Sequence, residues 1–394
     1  MKKLLSLVLI CALALSFASC GGGGKADEKI VYIGVNEPAT GESGAGGKQE
    51  TLGIEYANFV QPTIDIAGET YQVKLVIVDN ETDTAKCPSV AQSLVSAGCS
   101  VVLGAYGSAL CIASGPTFEA AGIPCIGISC TNPQVTLGNS YYFRICFLDT
   151  FQGKVLADYA YETLKARNIY CLAELGDDYS VGLVNYFMEE FKALGGNIVA
   201  NETYPVGNSD YTSYIANAAK LKADCFFAPI NIEPAALLIE QSNAQGLAMP
   251  LLAGDTWDSN VIAEAAKGTN LNIAFSTFFY SEVNDTTKQF TEGFKKWLKD
   301  NPDKLTANGG NDTVAAVSPL GYDSYFVALE AIKAADSKDS KAINDALWNV
   351  TYSGVTGSVA FDKNGDVDKD AIFMVGVDTA TGAFKFITEQ SAAK

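Results

Sequence analysis

The chain of 394 residues contains no histidine, and that absence removes several mechanisms at once. Ser-His-Asp triads, Cys-His dyads and histidine-based zinc sites are impossible. Positive charge is also scarce, with 27 Lys and Arg against 45 Asp and Glu and a net charge of −18. The basic residues are scattered, and their longest runs are pairs such as Lys295-Lys296. This argues against nucleic acid as a partner, because affinity for a phosphate backbone comes from clustered cations that release counterions. Neither a CxxC pair nor a GxSxG elbow occurs, so a serine hydrolase would have to use a lysine base. After the first 24 residues no apolar run is long enough to span a bilayer.

What is present begins with a leader. Lys2-Lys3 precede an apolar run, Leu4 to Ala14, and the small residues Ala18-Ser19 precede Cys20 and four glycines, Gly21 to Gly24. A basic start, a short apolar stretch and small residues before a cut mark a secretory signal. The expectation is a signal peptide over residues 1–19. The exposed Cys20 resembles a bacterial lipoprotein anchor, with residues 20–28 as a flexible tether that holds the protein at the outer face of the cell membrane. An ordinary cut after Ala18, releasing a soluble protein, is the alternative. Loss of Lys2 and Lys3 takes the net charge from −18 to about −20.

The remaining 375 or so residues suggest two domains. From Lys29 one phrase recurs: a β-rich run, a polar turn, an amphipathic helix, a glycine and another β-rich run. Strands are expected at Ile30–Val35, Val73–Val78, Ser100–Leu103 and Pro124–Ile126, with helices at Lys48–Phe59, Lys86–Ala97 and Ala109–Ala121. Gly98 and Gly122 stand where left-handed caps would stop two of those helices. A second series starts near Thr150, with strands at Ile169–Ala173, Ile198–Tyr204, Cys225–Ala228, Pro250–Ala253 and Ile273–Phe275. Alternation of this kind implies a parallel sheet covered on both faces. Three further helices and three β-rich runs close the chain, read as pieces returned to the first two lobes. The eight cysteines after Cys20 sit mostly in apolar runs and read as small buried hydrophobes rather than metal ligands. A Cys87–Cys111 bridge is the one disulfide pairing considered, since both open helices that should lie side by side.

Two motifs fail on inspection. Gly44, Gly46, Gly47 and Lys48 suggest a phosphate loop, but Glu42 and Gln49 stand at required positions. Asp362 to Asp368 suggests a calcium loop, but Val367 occupies the glycine position, which favours a hairpin through Asn364-Gly365. More telling are polar residues at the expected strand ends. Leu103 runs into Gly104-Ala105-Tyr106-Gly107-Ser108, and Ile126 into Gly127 to Pro133. Ligands of open α/β sheets bind beyond the carboxyl ends of strands, at helix N-termini. Ser108 and Thr131 could be mere caps; on neighbouring strands they point to a carboxylate site.

These residues carry a resemblance. Ile33-Gly34-Val35 with Thr40-Gly41, Val101 to Ser108, and Ala121-Gly122-Ile123-Pro124 through Ser129-Cys130-Thr131-Asn132-Pro133 resemble the leucine/isoleucine/valine-binding family of the type I periplasmic binding protein fold, which feeds ABC transporters. The likeness continues through Gly176 to Tyr179, Gly254 to Asp258 and Gly321 to Asp323. It implies two doubly wound α/β lobes joined by a three-crossing hinge. The crossings are expected near Ile145–Thr150, Phe275–Phe279 and Tyr352–Gly357, with residues 29–147 plus 278–354 as lobe 1 and 148–277 plus 355–394 as lobe 2. Carried over by position, the Ser108 and Thr131 hydroxyls and the Ser129 and Thr131 N–H groups would hold an amino-acid carboxylate, along the stretch that includes Cys130. The Ser129 carbonyl and Asp255 would face the ammonium, Tyr179 would close over the ligand, and Tyr322 would line the side-chain pocket. Gly46 stands where the family often places an aromatic ring, and Asn231 or Ile232 where it offers another tyrosine. The resemblance implies a non-enzymatic, monomeric solute binder without a cofactor, handing a free amino acid, branched-chain first, to an ABC permease. A sensory receptor on the same fold, or a surface hydrolase using Lys48, are the alternatives.

Overall fold

The computed structural model describes residues 29–369 and 371–391; the expected signal peptide, Cys20 and tether lie outside them. The first series of elements is β1 (Ile30–Glu37), α1 (Gly44–Val60), β2 (Thr63–Ile66), β3 (Glu69–Asp79), α2 (Cys87–Ser96), β4 (Val101–Gly104), α3 (Ser108–Ala121), β5 (Cys125–Gly127) and β6 (Tyr142–Arg144). The second is α4 (Asp149–Asp158), β7 (Asn168–Glu174), α5 (Asp178–Ala193), β8 (Asn197–Tyr204), α6 (Thr212–Lys220), β9 (Cys225–Phe227), α7 (Ile232–Ala244), β10 (Leu251–Ala253), α8 (Asn260–Ala266) and β11 (Ile273–Thr277). The chain ends with α9 (Asp285–Asp300), α10 (Pro302–Ala307), α11 (Val317–Ala335), α12 (Ser340–Leu347), β12 (Thr351–Gly354), β13 (Gly357–Ala360), β14 (Ala371–Asp378) and β15 (Ala383–Ser391).

Two sheets form two α/β lobes. The first has strand order β2-β3-β1-β4-β5-β6, parallel except for β2. The second runs β15-β14-β11-β10-β9-β7-β8. Here the expectation of a parallel sheet needs correction: β14 and β15 add an antiparallel hairpin beyond β11. An antiparallel hairpin at a sheet edge needs no crossover helix. The helices before it return to the first lobe, where α11 packs along α1.

Local chemistry accounts for the elements. In α5, Leu183, Val184, Phe187 and Phe191 fall on one buried face, and the Asp177 carboxylate caps the start by accepting the Ser180 N–H. Gly122 ends α3 in the left-handed conformation at φ 67°. All eight cysteines among the described residues are buried and free. The Cys87–Cys111 bridge is therefore not formed: the Cys87 thiol donates to the Asp83 carbonyl, while the Cys111 thiol is engaged by the Ala105 backbone.

Strand order reverses between β1 and β4 in the first sheet and between β7 and β9 in the second. The crevices beyond those switch points are where ligands of such sheets bind, and here the two crevices face each other.

Candidate ligand-binding site

On the first lobe the site is built by two strand-end loops. Gly107 precedes the first turn of α3 without a side-chain cap, leaving the helix N–H groups of that end available. The Ser108 Oγ accepts the Asn132 N–H at 3.1 Å, tying the two loops together. The Ser129 hydroxyl donates to Glu50 Oε2 at 2.6 Å. Thr131 is fully buried, and its Oγ1 has no hydrogen-bond partner among the described residues although the Asp149 carboxylate lies beside it. The Thr131 carbonyl accepts the Asp149 N–H at 2.9 Å. Cys130 contributes backbone only, since its thiol packs against Cys111 in the core.

On the second lobe, Asp255 opens a single 3-10 turn after β10. Its Oδ1 accepts from Gln152 Nε2 at 2.7 Å and from the Tyr179 hydroxyl at 3.0 Å. Burial pushes its carboxyl up to about 6, against the opposing pull of those two donors. The indole N–H of Trp257, in the same turn, is buried without a partner among the described residues. Unpartnered buried polar atoms are costly, and here they gather where the lobes meet.

Direct hydrogen bonds cross between the lobes. Gln49 Nε2 donates to Asn260 Oδ1 at 3.0 Å and Asn132 Nδ2 donates to the Asp178 carbonyl at 2.6 Å. The Asp258 carboxylate accepts the Ala316 N–H before α11 at 3.1 Å and the Thr277 hydroxyl at 2.5 Å. Burial raises Asp258 to about 7. Toward the cleft mouth a cavity of about 420 Å³ is lined by Glu42, Glu174, Asp177 and Asn231 among others. A second cavity, about 290 Å³, lies on the hinge side against Phe147, Phe278 and Phe373, away from Thr131 and Asp255.

The residues singled out in the sequence are thus partly brought together. Ser108, Ser129, Cys130, Thr131, Tyr179 and Asp255 converge. Gly46 also reaches the cleft, for a different reason: a Cβ there would stand 2.5 Å from the Tyr106 ring. Tyr106 is the ring that fills the space, reaching into the core cluster of the second lobe beside Trp257. Tyr322 does not join. Its ring packs with Tyr56, Phe290 and Phe326 at centroid distances of 5.6, 5.1 and 4.8 Å, on the α1, α9 and α11 side. Lys48 lines a cleft-edge cavity with Glu233 and Asn260 rather than facing a serine.

Sequence reasoning missed Glu37 and Glu50. Glu37 ends β1, and its Oε2 accepts the Tyr106 N–H at 2.7 Å. Burial and the neighbouring Glu50 hold the Glu37 carboxyl well above its usual range, and burial lifts Glu50 to about 8. A polar residue ending an apolar strand was the available signal for Glu37.

The periplasmic binding protein family matches residues 30–382. The chain belongs to this family. Its members are non-enzymatic solute binders. Among curated relatives, a Leu/Ile/Val-binding protein homolog of Brucella suis is 28% identical over 376 residues, covering 93% of this chain and 94% of that one. An amino acid binding protein of Pseudomonas aeruginosa is 30% identical over 364 residues, covering 90% and 92%. Among solved structures, a leucine binding protein of Thermotoga maritima superposes with a TM-score of 0.81 at 28% identity, covering 92% of this chain and 99% of that one. A branched-chain amino acid transporter substrate binding protein of Streptococcus pneumoniae, in complex with isoleucine, gives 0.80 at 26% identity and covers 92% and 99%. The two-lobed arrangement of this periplasmic binding protein is the fold of those structures.

Proposed function

We propose that this periplasmic binding protein is the extracytoplasmic solute-binding component of an ABC transporter and captures a free α-amino acid. The observation that carries this reading is the buried Asp255 carboxylate close to a rim of hydroxyl and N–H groups at Ser108, Ser129 and Thr131. A zwitterion matches that polarity: its carboxylate would take the Ser108 and Thr131 hydroxyls and the Ser129 and Thr131 N–H groups, its ammonium the Ser129 carbonyl and Asp255. A desolvated ammonium needs such a paired charge. The names of the relatives support a branched-chain amino acid as the first candidate.

In this reading the two bodies that close about the hinge are residues 29–147 plus 278–354, together with the 355–366 segment bonded to Asp323, Thr136 and Arg144, and residues 148–277 plus the strands that follow that segment. Ligand contacts available only in the closed form shift the population toward it. The closed trap then docks, as a monomer, on its permease. A lipid on Cys20 and the slack of Gly21 to Gly24 would keep it within reach of the membrane. Calorimetry with the twenty amino acids, on the wild type and on Thr131→Ala and Asp255→Ala, tests the proposal. Loss of Asp255 should cost about 2–5 kcal/mol of binding. Binding of no amino acid would sink the ligand class; unchanged binding in both variants would sink the site.

A further inference from the structure

The loop that presents Thr131 is held from behind by a guanidinium that the carboxylate site itself does not use. Arg144, at the end of β6, is fully buried. Its Nη1 donates to the Cys130 carbonyl at 2.9 Å and to the Asn132 carbonyl at 2.6 Å. Nε donates to Asp366 Oδ1 at 2.9 Å, and Nη2 to the same oxygen at 2.6 Å and to Thr136 Oγ1 at 2.9 Å. These five bonds match the five N–H donors of an arginine. The charge is met by Asp366, so the guanidinium is left to orient rather than to attract an anion.

We infer that Arg144, pinned by Asp366, is the positioning residue of the Ser129–Asn132 loop, and that the C-terminal loop 362–366 is thereby a working part of the carboxylate half of the site. The inference rests on the amino-acid reading above. Its physics lies in the peptide plane. In a trans peptide the C=O and N–H point in opposite directions. Drawing the Cys130 carbonyl onto Arg144 therefore turns the Thr131 N–H the other way, out of the core. The next peptide obeys the same rule: the Thr131 carbonyl goes to the Asp149 N–H and the Asn132 N–H to Ser108 Oγ. The donors offered to a carboxylate are thus set by where the intervening carbonyls are anchored.

The 362–366 loop is shaped for this docking. Asp362 Oδ1 accepts the N–H groups of Asn364 and Asp366, bending the loop into a tight turn. The Gly365 carbonyl then accepts the Arg144 N–H at 2.8 Å. Gly365 sits at φ 86°, and a Cβ there would fall 2.6 Å from the Tyr142 carbonyl oxygen. Only glycine lets the loop lie flush on β6. In the segment that mimics a calcium loop in sequence, Asp362 spends its carboxylate on its own backbone and Asp366 on Arg144 and Thr136.

The test uses the mature chain, Asp366→Asn and Thr136→Val, with L-leucine and L-leucinamide as probes and hydrogen exchange across residues 128–133. In Asp366→Asn, leucine should weaken about tenfold or more, the loss of one charge-assisted hydrogen bond's worth of positioning, while leucinamide, which offers no carboxylate, changes little. Exchange in the 129–132 loop should accelerate while the neighbouring 105–108 loop stays as in the wild type. Thr136→Val keeps the ion pair and should show both effects in smaller degree, which covers the case in which Asp366→Asn does not fold. Equal weakening of both probes, or unchanged exchange at 129–132, would overturn the inference. Binding of neither probe by the wild type would sink the amino-acid reading alone; the exchange comparison would then decide on the clamp by itself.

Discussion

Affinity for an amino acid should fall about tenfold between pH 7 and pH 5, and Asp255 should be the cause. Its folded-state carboxyl titrates at about 6, raised from the usual 3.8 by burial. A raised value means that the proton is held until the pH climbs through about 6, so the ionised form that an ammonium requires is lost as pH falls through that point. At pH 5 about one molecule in ten carries the charge, a penalty of about 1.4 kcal/mol relative to full ionisation. The amino acid keeps its own charges across this window. Titration calorimetry from pH 5 to 8 reads the affinity, and repeating it in buffers of different ionisation enthalpy reads the proton released on binding below pH 6. Asp258 at about 7 and Glu50 at about 8 lie in the same cleft, so Asp255→Asn is the necessary control. It should bind weakly at every pH and lose the inflection near 6. A flat wild-type profile, or an inflection near 6 that survives Asp255→Asn, would refute the assignment of the ammonium to Asp255.

Two further outcomes are expected. Gly46→Ala should lower the melting temperature despite the helix propensity it gains, because overpacking against the buried Tyr106 ring costs about 1–3 kcal/mol; Gly46→Ala with Tyr106→Leu should recover most of the loss, and a stable single variant would show that the ring does not stand there. Thiol titration of the chain from residue 21 onward should find no fast-reacting group in the native state and all eight once denatured; only six after denaturation without reductant would restore a disulfide.

The repeating βαβ phrase made both sheets legible, since apolar runs of strand length alternating with helical stripes admit few arrangements. What escaped was short or at an edge: β2, β6, α8, α10 and β12 span only three to seven residues, too few to show a period. Strand-end polarity pointed to Ser108 and Thr131 because the crevice of an α/β sheet has a fixed address. Asp255 and Tyr179 came only with the family resemblance. Glu50 was invisible because a carboxylate two residues after the exposed Lys48 reads as solvated; the packing of α1 against α11 and the Ser129 loop of the same lobe buries it. Tyr322 went astray for the related reason that helix phase is decided by partners: on α11 the face bearing Tyr322 and Phe326 meets Tyr56 and Phe290, while the adjacent Asp323 turns to the Val355 and Thr356 N–H groups.

The energetics of closure explain why such a trap would wait for its ligand. Hydrogen bonds cross between the lobes, linking Gln49 to Asn260 and Ser259, Asn260 to Asn308, Asn132 to Asp178, Glu42 to Gly207 and Glu233, and Asp258 to Ala316, each contributing about 0.5–1.5 kcal/mol net. Against them stands the burial of Asp255. Burial holds its carboxyl at about 6 rather than 3.8, and Tyr106, brought by the first lobe, lies close enough to sense its charge. The two terms oppose each other. An ammonium beside Asp255 removes the opposing term and leaves the cross-lobe bonds in place, which tips the equilibrium toward the closed form. The same carboxylate would thus select the ligand and bias the hinge, because its charge is better tolerated in the closed cleft when a cation arrives with it.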